Sequence, residues 1–260
     1  MSNDKAYRVA PMQIDHMDGP PDGAVYIFNH VAKAGGTSLF RFFGGVFGES
    51  SVFRHRARNM KTNEYSKAID ELTEAERSEL RFVGGHFGYG KHALFDREYY
   101  YLAVVRDPEE RFVSNFYFNR EKGRPDVREQ YLKYDINDFL RERYEEKPNF
   151  MKGIQIRQVT GESDLATALK KIDEEFLVAF ETNQLNDAQK MLADFFNCPY
   201  VAPVHNNRRD ADNSQGPTGL TDESRQLIAD ICGDDRVFVQ EIAKRFDTAR
   251  HRFYENSQAQ

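Results

Sequence analysis

Lys33, Gly35, Gly36, Thr37 and Ser38 stand in one run, His30-Val31-Ala32-Lys33-Ala34-Gly35-Gly36-Thr37-Ser38-Leu39, and these residue types in this order describe a cradle for an anion. Two adjacent glycines let backbone N–H groups approach a phosphate closely. The helix dipole and the orphan N–H donors of the first turn favour negative charge there. Lys33 contributes a point charge. An ordinary glycine-rich turn would show the same pair of glycines. A magnesium-nucleotide loop of the form G-x-x-x-x-G-K-[ST] places its lysine directly after the last glycine. Here Lys33 precedes both glycines, and no earlier glycine completes that loop.

A second run, Val104-Val105-Arg106-Asp107-Pro108-Glu109-Glu110-Arg111-Phe112-Val113-Ser114, puts an arginine where an apolar segment ends. Arg111 and Ser114 share a helix face, so a phosphate there could meet Ser114 while Arg106 reaches it from the strand end. Alternatively, Asp107 and Pro108 merely start the helix and Arg111 pairs with a neighbouring acid. Of seven histidines, His86 alone lies at the end of an expected strand inside a glycine-rich turn, Gly84-Gly85-His86-Phe87-Gly88-Tyr89-Gly90. A histidine is the efficient general base near neutral pH. The bland alternative is a hydrogen-bonded turn residue. No paired cysteines or ligand spacing suggest a metal.

The elements that must position these residues follow from periodicity. Val25–His30 is a run of strand formers, and residues 37–47 repeat Leu39, Phe42, Phe43 and Phe47 at helical spacing. Thr73 and Glu76 form a capping box for a helix over 74–80, followed by a short strand at 81–84. Tyr99–Val105 reads as a fully buried strand, and Asp107 and Pro108 as N-cap and first residue of a helix reaching about residue 118. Helical patterns at 135–145, 163–172, 185–196, 222–231 and 235–246, with a strand at 176–180, complete the chain. Strands alternating with helices imply an α/β fold, a single domain with a mostly parallel central sheet flanked by helices and a P-loop-like strand, loop and helix. In such sheets ligands bind at the carboxyl ends of the strands.

The chain has 260 residues with 40% hydrophobic content, enough for one large core. A net charge of −6 supplies no global field for nucleic acid, so no nucleic-acid partner is expected. An anionic ligand must then be held by a few placed cations and backbone N–H groups. Cys198 and Cys232 form no redox-like or metal-like pair, and no long apolar run suits a membrane span, which together read as a cytoplasmic protein. Residues 1–23 read as a poorly ordered lead-in and 24–260 as the folded domain, with Gly19-Pro20-Pro21 near the boundary.

The first run resembles the 5′-phosphosulfate loop of the sulfotransferases that use 3′-phosphoadenosine 5′-phosphosulfate (PAPS), in the branch that includes heparan sulfate 2-O- and 6-O-sulfotransferases and bacterial relatives. The run from Val104 is similar to the same family's 3′-phosphate segment, at a separation of about seventy residues that suits it, and Gly85-His86-Phe87 to its Gly-His-Phe stretch. Weaker likeness extends over 155–161, 177–192 and the final helices, so that it spans roughly 25–246. The resemblance implies that Lys33, Ala34, Gly35, Gly36, Thr37 and Ser38 hold the 5′-phosphosulfate and that Arg106 and Ser114 hold the 3′-phosphate. Ala32 and Ala34 stand where relatives often carry Pro and Thr, a departure that removes one side-chain hydroxyl. It further implies in-line sulfuryl transfer to a hydroxyl acceptor, a glycan or glycolipid, with His86 as base and Lys33 offsetting leaving-group charge. His30 reads as a packing or loop-orienting residue, while His55 and Glu110 are reserve bases. His205, Arg208 and Arg209 fall in a polar segment near cofactor or acceptor in relatives, or in a solvated turn. An ATP-dependent kinase and a non-catalytic nucleotide-binding protein on the same fold are the competing functions.

Overall fold

The computed structural model describes Met12, Ile14 and residues 19–55, 66–202 and 219–258. His205, Arg208 and Arg209 lie outside the described residues.

Five strands form one sheet: β1 (Val25–His30), β2 (Val52–His55), β3 (Phe82–Gly85), β4 (Tyr99–Val105) and β5 (Phe176–Glu181). Their order is β2-β3-β1-β4-β5, and every pairing is parallel. The helices are α1 (Gly36–Phe47), α2 (Glu74–Ser78), α3 (Pro108–Lys122), α4 (Pro125–Leu132), α5 (Ile136–Glu146), α6 (Ile154–Thr160), α7 (Leu165–Glu175), α8 (Leu185–Phe195), α9 (Asp222–Ile231) and α10 (Gly233–Gln258). This is the expected single α/β domain with a parallel sheet flanked by helices. Strand β4 and the first four residues of β1 read as apolar runs because both strands lie inside the sheet, where both faces are covered.

Three elements escape the sequence patterns. β2 is a four-residue edge strand with an exposed Arg54, too short and too polar to show a period. α4 starts at Pro125 but buries none of its residues. α6 is a seven-residue helix between two left-handed glycines, Gly153 and Gly161. Its N-terminus is capped from far along the chain: the Asp235 carboxylate accepts from the backbone N–H groups of Ile154, Gln155 and Ile156 at 3.0, 3.1 and 3.1 Å. No local window contains that cap.

Other boundaries move by small steps. α2 ends at Ser78, α3 runs on to Lys122, and α10 extends to Gln258. The Thr73 capping box forms as expected, with Glu76 N–H donating to Thr73 Oγ1 at 3.2 Å and Thr73 N–H to Glu76 Oε2 at 2.7 Å. Within the expected lead-in, Met12 and Ile14 are buried in the main core, and the Met12 N–H donates to the Phe176 carbonyl at 2.9 Å. That much of the segment packs on the domain.

The main core surrounds the sheet, and a second cluster, including Phe112, Phe116, Phe139, Leu140 and Ile228, joins α3, α5 and α9. α3 is therefore anchored on its apolar side by helices, which leaves its other side to face the sheet's carboxyl edge. The register of the parallel pairs sets that edge. His30 pairs with Val104, Asn29 with Gly85, and Val105 with Glu181, so the segments after β1, β3, β4 and β5 all leave the sheet together.

Candidate nucleotide and acceptor site

The loop from Val31 to Gly35 joins β1 to α1 and carries two left-handed residues, Lys33 (φ 70) and Gly35 (φ 86). Glycine adopts that region without strain, but lysine does not, so the Lys33 conformation is imposed by its surroundings. α1 receives no side-chain cap at its N-terminus. Its leading N–H groups, at Gly36 and Thr37, are thus the orphan donors that a helix start offers an anion. Ala34 and Gly36 are buried, Lys33, Gly35 and Ser38 are half-buried, and Thr37 is exposed.

The two sequence runs meet. Arg106 Nη1 donates to the Lys33 carbonyl at 3.1 Å, and Arg106 Nε donates to Glu110 at 3.1 Å. The Thr182 hydroxyl, from the turn after β5, lies 3.0 Å from the Val105 carbonyl and 3.2 Å from the Ala34 carbonyl, and ties strand end to loop. Thr182 was not legible as a site residue, although its place one residue past a strand end marks the same edge.

Lys33 Nζ sits 3.7 Å from the centroid of the Phe118 ring on α3. Glu110, Ser114 and Phe118 follow at four-residue spacing, so Ser114 stands on the same face of α3 between the partner of Arg106 and the partner of Lys33. Burial, together with the Arg106 and Lys122 charges, pushes the Lys33 ammonium down to about 8. Lys33, Ser114 and Arg106 are therefore brought to one place. Arg111 is not: it is buried among the helices, in the field of the Asp235 carboxylate, rather than beside Ser114 at the sheet edge.

The histidines separate by what their ring nitrogens touch. His86 Nδ1 lies 2.9 Å from the His30 carbonyl oxygen. A carbonyl can only accept, so Nδ1 carries the hydrogen and Nε2 keeps its lone pair. His86 is exposed, and its ring stacks on that of His30 with centroids 4.4 Å apart. His30 is unsuited as a base, since burial and the His86 and Lys33 charges push its imidazole down to about 3. His55 Nδ1 accepts from the Ile69 N–H at 3.0 Å, which puts the hydrogen on Nε2 and leaves no free lone pair. Glu110, the other reserve, is held by Arg106. A residue the sequence did not single out, Glu181 at the end of β5, has its carboxyl pushed up by burial and by Glu110 and Asp107. Its place as a strand-terminal acid was the available signal.

His30 also explains Gly36. A Cβ on Gly36 would fall 2.3 Å from His30 Nε2, closer than any real contact. Gly36→Ala should therefore displace the His30 ring, destabilise the fold by about 1–3 kcal/mol in urea denaturation, and lower activity by disturbing the His86 stack. An unchanged midpoint and unchanged activity would show that the glycine is not required for this packing. At Gly84 the same close approach occurs with Phe40 of α1, 2.6 Å from an added Cβ, which seats α1 on β3 beside His86.

Among the described residues, no helix is long and apolar enough to cross a membrane. A model described as "Sulfotransferase family" matches residues 22–246. The uronyl 2-sulfotransferase of Homo sapiens is 27% identical over 211 residues, which cover 70% of this chain and 51% of that protein. The uronyl 2-sulfotransferase of Mus musculus shows the same identity and the same coverage. The chain spans about half the length of these relatives.

Proposed function

The chain belongs to the sulfotransferase family, and on that premise we propose that it transfers a sulfuryl group from PAPS to a carbohydrate hydroxyl. The observation that carries the proposal is the hydrogen bond from Arg106 to the Lys33 loop, which unites two cationic motifs at one sheet edge. The donor set fits a ligand with anionic groups at two ends: an uncapped helix N-terminus with Lys33 for one, and Arg106 with Ser114 for the other. PAPS supplies the activated sulfuryl group and leaves as adenosine 3′,5′-bisphosphate.

The chain's own residues then have separable tasks. The backbone N–H groups of Gly36 and Thr37, with the Thr37 and Ser38 hydroxyls, hold the 5′ end. Lys33 moves from the Phe118 face to offset charge that grows on the leaving phosphate. Arg106 and Ser114 hold the 3′-phosphate. His86 Nε2 accepts the acceptor's hydroxyl proton as its oxygen attacks sulfur, while Nδ1–H stays on the His30 carbonyl and fixes the ring. The balance is complete: an S–O bond to the acceptor forms, the S–O bond to phosphate breaks, and the proton rests on His86.

Uronyl acceptors are named for both relatives, so a uronic-acid sugar is the acceptor class we favour over glycolipid. A cytoplasmic setting is part of the proposal and is supported by two free thiols, Cys198 and Cys232. The test is transfer of labelled sulfate from PAPS across a panel of uronate-containing glycans, neutral glycans, glycolipids and phenols. Labelling of uronate-containing glycans is the expected result. Transfer confined to phenols would overturn the acceptor class. Binding of adenosine 3′,5′-bisphosphate with no transfer to any member would favour the non-catalytic reading. Tight magnesium-ATP binding with no response to the bisphosphate would favour the kinase.

A further inference from the structure

Gln155 is fully buried, although its amide is a group that proteins ordinarily leave in water. Both ends of that amide are committed to a single partner. The Arg106 N–H donates to Gln155 Oε1 at 2.9 Å, and Gln155 Nε2 donates to the Arg106 carbonyl at 2.7 Å. Only one orientation of the amide satisfies both bonds, so its direction is fixed by chemistry.

This two-way pair does what an adjacent strand would do, at a residue where none is available. β4 ends at Val105, and its last registered partner is Glu181 of β5. Beyond that point Arg106 would leave the sheet with its N–H and carbonyl unpaired, free to choose among backbone conformations. Gln155 removes that choice.

Gln155 is itself held. Its N–H and those of its two neighbours donate to Asp235, whose carboxylate interacts with the buried Arg111 of α3. A continuous buried polar path therefore runs from α10 through α6 to the main chain of Arg106. The guanidinium at its end is the one that also reaches the Lys33 carbonyl.

We propose that Gln155 is a positioning residue that aims Arg106 at the nucleotide's 3′-phosphate and thereby sets the preference for a 3′,5′-bisphosphate over a 5′-monophosphate. The inference rests on the reading of Arg106 as a 3′-phosphate ligand. It does not depend on turnover. A merely structural role for Gln155 would weaken both nucleotides alike, because both would use the Lys33 loop.

The test is calorimetric binding of adenosine 3′,5′-bisphosphate and of AMP to the full chain and to Arg106→Ala, Gln155→Met and Gln155→Glu. Arg106→Ala should abolish most of the preference for the bisphosphate. Gln155→Met keeps the volume and removes both hydrogen bonds, and should reduce the ratio of the two affinities by about tenfold while AMP binding stays within about twofold. Gln155→Glu keeps an acceptor for the Arg106 N–H and loses the donor to its carbonyl, so it should lower the ratio as well. If Gln155→Met does not fold, Gln155→Glu carries the same comparison. An unchanged ratio in a folded Gln155 variant, or equal losses for both nucleotides, overturns the positioning role while Arg106 keeps its assignment. If Arg106→Ala retains the wild-type preference, both the phosphate assignment and the positioning role fall.

Discussion

Replacing Lys33 with alanine should lower kcat for sulfate transfer by about a thousandfold, the scale on which removal of one preorganised charge-stabilising group acts. The structure isolates this effect from folding. Lys33 already adopts a left-handed φ of 70 that alanine would share, and the bond from Arg106 goes to its carbonyl, which alanine retains. Only the ammonium is lost, along with its contact to Phe118. Unfolding free energy should therefore change by less than about 1 kcal/mol. A variant that turns over at the wild-type rate would remove Lys33 from the chemistry.

The same residue predicts a pH dependence whose sign can be worked out. In the free protein the Lys33 ammonium loses its proton at about 8. A bound anion favours the charged form, so the bound pKa lies higher. Affinity is then fully present below about 8 and falls as pH rises from the free value toward the bound one. A phosphate ligand's own second ionisation, near about pH 6, is complete before that window, and arginine does not titrate within it. Calorimetric titration with adenosine 3′,5′-bisphosphate between about pH 7 and pH 10 should show this decline, and Lys33→Ala should flatten it. An equal decline in Lys33→Ala would assign it to another group.

His86→Ala should reduce kcat by about a thousandfold, within the usual span for loss of a general base, with nucleotide affinity nearly unchanged. The separation follows from geometry. The ring is exposed and rests against His30, whereas the groups proposed to hold the phosphates lie on the Lys33 loop, at Arg106 and on α3. Added imidazole should restore part of the rate, which it cannot do for a variant that has lost binding. Full activity in His86→Ala would transfer the proton to another acceptor. Glu181, whose carboxyl is pushed up by burial and by Glu110 and Asp107, would be the next to replace.

Where the sequence alone succeeded, short-range physics was sufficient. A buried parallel strand must be apolar throughout, as Tyr99–Val105 is, and Asp107 with Pro108 caps whatever helix follows. The glycines and hydroxyls of the first run stand, as their order suggested, where β1 gives way to α1. The failures share the opposite cause. β2 is specified by its neighbour β3, α4 by contacts that bury none of its residues, and α6 by Asp235 from α10.

The site divides in the same way. Residue types and order determined which groups could bind phosphate and which histidine sat at a strand end. Only the folded chain decided that Arg106 reaches the Lys33 loop, that Lys33 rests on Phe118, and that Arg111 is buried. Tautomers, too, follow from tertiary partners: a carbonyl acceptor puts the His86 lone pair on Nε2, while a backbone donor occupies that of His55 on Nδ1. Charge, polarity and local propensity are written residue by residue, but the direction of a side chain and the protonation of a ring depend on atoms that chain connectivity places far away.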